Sequence, residues 1–155
     1  MDWGMKNRLA SLMGSDGKCM FMPIDHGYFL GPTSKLEKPG ETIKPIIEYC
    51  DALFVTRGVL RAAIKPDDSK PIILRVSGGT SVVGRDLANE GLTTSIKDAL
   101  RLNVAAVGLS IFIGSDYERQ TLLNLGKLVD DCEEYGKIGR GRVGKECRSR
   151  WSPYH

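Results

Sequence analysis

Asp25 and His26 are adjacent, and Gly27 follows them directly. A carboxylate and an imidazole placed so close can share general acid and base work. The glycine lets the backbone turn sharply and come near a ligand. The plainer alternative is that Asp25 caps the next loop and His26 is a satisfied polar side chain. Arg57 and Arg75 carry forked donors that match a phosphate or a carboxylate, with a structural ion pair as the competing role for each. Arg75 lies inside an apolar run, so it must point into the interior or pair with an acid. Ser77-Gly78-Gly79-Thr80-Ser81 could cradle an anion with its amides, though Gly-Gly loops are common.

Four short apolar runs would position these residues: 19–24, 52–56, 72–76 and 104–111. They are continuously apolar rather than alternating, as strands covered on both faces are. Pro71 stands at the opening of the third, where a missing N–H is tolerated. Between the first two, Ile43, Ile46, Ile47 and Cys50 recur at the spacing of one helix face. Ser95-Ile96-Lys97-Asp98 resembles a capping box that starts a short helix ending near Leu102. Ser115-Asp116-Tyr117-Glu118 opens a longer helix in the same way. The apolar stripe of that helix is Leu122, Leu125, Leu128, Val129 and Cys132, and Gly136 stands where a left-handed cap belongs. Residues 78–94 read as a long loop with one weak helical turn at 85–89. Strands alternating with helices predict an α/β fold with a parallel sheet. In such folds chemistry gathers at the C-terminal ends of strands. Asp25-His26-Gly27, Thr56-Arg57-Gly58, Ser77-Gly78-Gly79 and Ile113-Gly114-Ser115-Asp116 all fall there.

The chain has 155 residues, enough for one compact domain, and its 41% hydrophobic and 26% charged content is that of a globular, soluble protein. No apolar run reaches membrane-spanning length and the N-terminus lacks the pattern of a signal peptide, so a cytoplasmic protein without a membrane partner is expected. Cys19, Cys50, Cys132 and Cys147 form no C-x-x-C pair, and only two histidines occur, which argues against a metal site. The net charge of +3 is uneven. Residues 137–155 hold six basic residues and one acid, so the body is mildly acidic and the tail carries the basic character. Two domains of composition follow, 1–136 and a basic, irregular, disordered 137–155. Gly139-Arg140-Gly141-Arg142-Val143-Gly144 is formally G-x-G-x-x-G, but the dinucleotide motif needs a strand before it and a βαβ unit after it. Nucleic-acid binding would rest on this tail alone and is set aside.

Taken together, Asp2-Trp3-Gly4-Met5, Arg8-Leu9, Asp25-His26-Gly27-Tyr28-Phe29, Gly31-Pro32-Thr33, Thr56-Arg57-Gly58, Leu74-Arg75-Val76-Ser77-Gly78 and Ile113-Gly114-Ser115-Asp116-Tyr117-Glu118 resemble the archaeal-type class I fructose-bisphosphate aldolase family. The likeness is greatest to its thiolase branch in autoinducer-2 degradation, and it runs from Met1 to about Gly136. It implies the N-terminal half, about four β/α units, of a TIM (β/α)8 barrel. It also implies a lysine that forms a Schiff base with a phosphorylated keto substrate, beside which Asp25 and His26 move protons. Gly27, Arg57, Arg75 and Ser77 would then contact substrate. No bound cofactor is implied; coenzyme A enters as co-substrate in the thiolase branch, and family members assemble as homo-oligomeric rings.

In the family the Schiff-base lysine ends the sixth strand, and the seventh and eighth strands make the phosphate site. A full barrel takes roughly 250 residues. Lys18 and Lys70 precede strands and Lys137 and Lys145 lie in the tail, so none takes that position. The family continues after Gly136 with an apolar fifth strand, which Lys137-Ile138-Gly139-Arg140-Gly141-Arg142 replaces here. A reading frame disrupted near residue 137 would leave such a product, with no activity alone unless it self-associates or meets a second half.

Overall fold

The computed structural model describes residues 3–31, 33–68, 70–136 and the strand at 138–143. Its main sheet has five parallel strands: β1 (Phe21–Pro23), β2 (Ala52–Thr56), β3 (Ile72–Arg75), β6 (Ala106–Ile111) and β7 (Ile138–Val143), in that spatial order. A two-stranded antiparallel ribbon, β4 (Ser77–Gly78) with β5 (Gly91–Leu92), stands at the end of β3. The helices are α1 (Trp3–Leu12), α2 (Gly27–Leu30), α3 (Pro39–Ile43), α4 (Arg57–Ala63), α5 (Ile96–Arg101) and α6 (Glu118–Glu134). Parallel strands joined through helices in chain order form an open segment of a (β/α) barrel, as the sequence predicts.

Alternation along the strands separates two apolar clusters. Leu53, Val55, Leu74, Val107 and Leu109 pack with Ile43, Ile96, Ala99, Leu128 and Cys132 of the helical layer. Ala52, Phe54, Ile73 and Ala106 form the other face with Leu12 of α1. Arg75 therefore lies on the same side of β3 as Ile73, two residues away, which is the side opposite the helical layer.

Several expectations need correction. β1 is half-buried to exposed rather than covered on both faces, because it is the edge strand of the sheet. The helix inferred across 43–50 is broken into α3 and a 3-10 turn, Ile47–Tyr49. Pro45 accounts for the break, since it has no N–H to donate to Glu41. The burial pattern survives, with Ile43 and Cys50 buried. α6 starts at Glu118, three residues after the expected cap: the Ser115 hydroxyl accepts from the Tyr117 amide, and Glu118 accepts from the Gly114 amide. Its buried face is Thr121, Leu128 and Cys132, while Leu122 and Val129 are exposed. Gly136 has φ +62, as its capping role requires. Residues 85–89 are turns and not helix, within the excursion that joins β4 to β5.

α1 had no counterpart among the expected elements, because it buries only Leu12. Residues 138–143, read from sequence as the start of an irregular tail, form β7 and pair in register with β6 from Ala106–Ile138 to Ile111–Val143. Parallel pairing draws on backbone groups that any non-proline residue offers. Residues 144–155, with Lys145 and Cys147, and Lys137 lie outside the described residues.

Candidate active site

Asp25 lies two residues past the end of β1, and the Ile24 amide donates to the Phe54 carbonyl, so the ladder holds the backbone up to the residue before it. The carboxylate is buried, with a side chain 2% exposed. Arg75 Nη1 donates to Asp25 Oδ2 at 2.8 Å. Asp25 Oδ1 has no hydrogen-bond partner, the only such buried side-chain atom among the described residues. A buried acceptor left unpaired is costly, and such atoms mark sites kept for something other than stability. His26 Nδ1 stands 3.6 Å from that oxygen, beyond hydrogen-bond length but within one small movement of it. The imidazole is partly exposed, so the pair joins a buried carboxylate to a ring that solvent reaches.

The hub of the site is Arg75, whose side chain is 3% exposed. Nη2 donates to both Glu90 oxygens at 2.9 Å and to Ser110 Oγ at 2.7 Å, and Nε donates to the Ser77 carbonyl at 3.2 Å. It also donates to the Tyr28 hydroxyl, and its Cζ lies 4.0 Å from the Tyr28 ring centroid. Ser77 Oγ donates to Glu90 at 2.7 Å and accepts from the Ser110 amide at 3.1 Å. One buried cation is thus held between two buried carboxylates, Asp25 and Glu90. The trio carries one negative charge in excess. Burial, followed by the hydrogen bond to Glu90, pushes the Tyr28 phenol well above its usual 10.

These contacts sort the candidate residues. Asp25, His26, Arg75 and Ser77 are brought together on one strand-end cluster. Arg75 donates to Asp25 and Glu90, and the Ser77 hydroxyl donates to Glu90, so both side chains are engaged in bracing the two carboxylates. Gly27 opens α2 without a positive φ, so no sharp turn demands it, and a Cβ there would meet nothing within 4 Å. Arg57 is elsewhere, paired with Asp98 of α5 at 2.6 Å, the ion-pair alternative. The Ser77–Ser81 segment is not a free anion cradle. Ser77 and Gly78 are strand residues, and a Cβ on Gly78 would come within 3.2 Å of the Tyr28 ring. Gly79 has φ +105 and turns the chain out of the ribbon.

Glu90 and Tyr28 were missed as site residues. The signal for Glu90 was indirect: a buried arginine requires an acid, and 17 residues of loop lay open to supply it. Asn124 of α6 fixes Glu90 by donating to its carbonyl at 3.1 Å.

Asp25 and His26 thus stand side by side at the first strand end of an open (β/α) barrel segment. Residues 19–137 match the model of the DeoC/LacD family of aldolases, and the chain belongs to that family. It is 43% identical over 149 residues to a 3-hydroxy-5-phosphonooxypentane-2,4-dione thiolase of Enterobacter sp. (strain 638), covering 94% of this chain and 50% of that protein. The Escherichia coli (strain K12 / DH10B) protein of the same name is 43% identical over 131 residues, 84% of this chain and 45% of the relative. The chain spans about half the length of the curated relatives it matches. Among solved structures, an archaeal fructose-1,6-bisphosphate aldolase with its catalytic lysine bound to the carbinolamine intermediate superposes with a TM-score of 0.74. It is 22% identical, and the match covers 91% of this chain and 59% of that one. A Schiff-base-forming fructose-1,6-bisphosphate aldolase gives 0.75 at 20% identity, with the same coverage of 91% and 59%. At such identity these two establish the fold. No helix among the described residues is long and apolar enough to cross a membrane.

Proposed function

We propose that these residues form the acid/base half of a Schiff-base site in a lyase or acyltransferase that acts on a phosphorylated keto compound. One observation carries the reading: the buried, unpaired Asp25 Oδ1 within a trio one negative charge in excess. A protonated amine or iminium placed there would supply the missing donor and cancel the charge. Asp25 then holds or takes the proton as the carbinolamine forms and collapses, and His26, partly exposed, passes it to solvent. The nucleophilic lysine comes from barrel strands beyond those described here. A thiolase outcome passes the acyl fragment to coenzyme A, and an aldolase outcome does not need it. The names of the curated relatives favour the thiolase, and a homo-oligomeric assembly is part of the same proposal.

The test joins residues 1–136 to the C-terminal half of the Enterobacter relative. Borohydride with a phosphorylated ketose or dione should trap an adduct on the joined barrel and none on this chain alone. Asp25→Asn in the joined barrel should cut turnover by roughly 100-fold or more. An adduct on the isolated chain would show that the nucleophile is already present and refute its proposed placement. Full turnover in the Asn variant would refute the role of Asp25. Dependence on coenzyme A separates thiolase from aldolase chemistry.

A further inference from the structure

Away from Asp25, three guanidinium groups converge on one acid. Asp98 accepts from Arg57 Nη1 at 2.6 Å, from Arg101 Nη2 at 2.5 Å and from Arg61 Nη2 at 3.4 Å. The Asp98 side chain is 6% exposed, while Arg57, Arg61 and Arg101 are 43%, 53% and 78% exposed. The acid is held in place from below: Ser95 caps α5 by accepting from the Asp98 amide at 3.2 Å. Thr56 caps α4 by accepting from the Val59 amide at 3.2 Å, which fixes the first turn that bears Arg57. The three arginines leave two positive charges uncompensated, and their remaining N–H groups have no partner among the described residues. A single carboxylate has room for few donors, whereas each guanidinium offers five. The three side chains crowd like charges at a cost that a bound dianion would remove.

We propose that Arg57, Arg61 and Arg101, gathered by Asp98, form a phosphate-binding site between α4 and α5. A phosphate dianion matches the surplus of two charges, and its three or four oxygens match forked donors arriving from separate directions. Asp98 organises the arginines and remains charged throughout. The ligand is either the free ion or a phosphate monoester. No residue is shared with the Asp25 cluster, so the site stands or falls independently of the proposed reaction.

Inorganic phosphate titrated into the full chain at constant ionic strength, followed through arginine side-chain NMR resonances, provides the test. Saturable binding of one equivalent that shifts Arg57, Arg61 and Arg101 is expected. Arg61→Ala and Arg101→Ala should each weaken it roughly tenfold or more, the scale of one charge-assisted hydrogen bond. Arg101→Lys, which keeps the charge and loses the fork, should recover only part of the affinity. Arg85→Ala, exposed on another loop, should leave it unchanged. The arginines replaced are exposed, and circular dichroism checks that the variants keep their fold. Glycerol phosphate binding more tightly than the free ion would assign the site to phosphate monoesters, and equal binding to the ion; both support it. Non-saturable shifts, or equal weakening by Arg85→Ala, would overturn the proposal.

Discussion

Replacing Arg75 by methionine should destabilise the protein severely, whereas replacing Asp25 by asparagine should not. Arg75 is the only cation among Asp25, Glu90, Tyr28, Ser77 and Ser110, and its removal leaves two carboxylates, each 2% exposed, facing one another without compensation. Breaking a buried pair by deleting one partner costs about 3–5 kcal/mol. Against a total stability of about 5–15 kcal/mol, that is about a fifth of the folded state's margin or more. Asp25→Asn changes the balance in the other direction. The trio goes from one excess negative charge to neutrality, the amide oxygen still accepts from Arg75, and the amide nitrogen takes the place of the unpaired Oδ1. The expected cost is below about 1 kcal/mol, with a gain in stability allowed, as at sites where function is kept at the expense of stability. Urea unfolding measures both. With a slope of about 2 kcal/mol/M, Arg75→Met should lower the midpoint by roughly 2 M while Asp25→Asn moves it by less than about 0.5 M. Equal losses in the two variants would refute the charge reasoning. So would a loss below about 1 kcal/mol for Arg75→Met, on the scale set for buried pairs.

Tyr28 gives a second measurement. Its phenol keeps its proton in the folded state above the pH at which the unfolded chain loses it, near 10. This contribution to stability is therefore fully present below pH 10 and is lost as pH rises further, at up to about 1.4 kcal/mol per pH unit. Tyr28→Phe should flatten the alkaline limb of the stability–pH curve relative to the parent protein, and tyrosinate absorbance should show one phenol fewer with delayed ionisation. Ser95→Ala removes the hydroxyl that caps α5 and should cost about 1 kcal/mol in thermal or urea unfolding. Asp98, held down to about 2 by Arg57 first and then Arg101, contributes stability that is present above the ordinary carboxylate range and is lost as pH falls from 3.8 towards 2.

Much of the fold follows from local pattern. Continuous apolar runs placed β2, β3 and β6, and the Ser95 cap and the Gly136 terminus fell where their chemistry requires. The isoleucine spacing over 43–50 reads as one helix, but Pro45 breaks it, so periodicity kept the burial pattern and not the helix. Asp25 and His26 could be singled out because they are adjacent and directly follow an apolar run. Glu90 could not. It lies 15 residues from Arg75 in sequence, in an excursion with no periodicity, and only the ribbon of β4 with β5 returns it to the arginine. The same holds for Asp98: local sequence makes it a capping residue of α5, but its three arginine partners come from two helices.

Residue type and order along the chain were enough to predict a parallel α/β segment and to set Asp25 beside His26 at the first strand's end, because strand pattern, capping and adjacency are local properties. The charge state of that pair's surroundings belongs to the tertiary structure. Which carboxylate Arg75 meets, which oxygen of Asp25 stays unpaired and which arginines of α4 join Arg101 on Asp98 depend on groups far apart in sequence, and Coulomb and desolvation terms act through space.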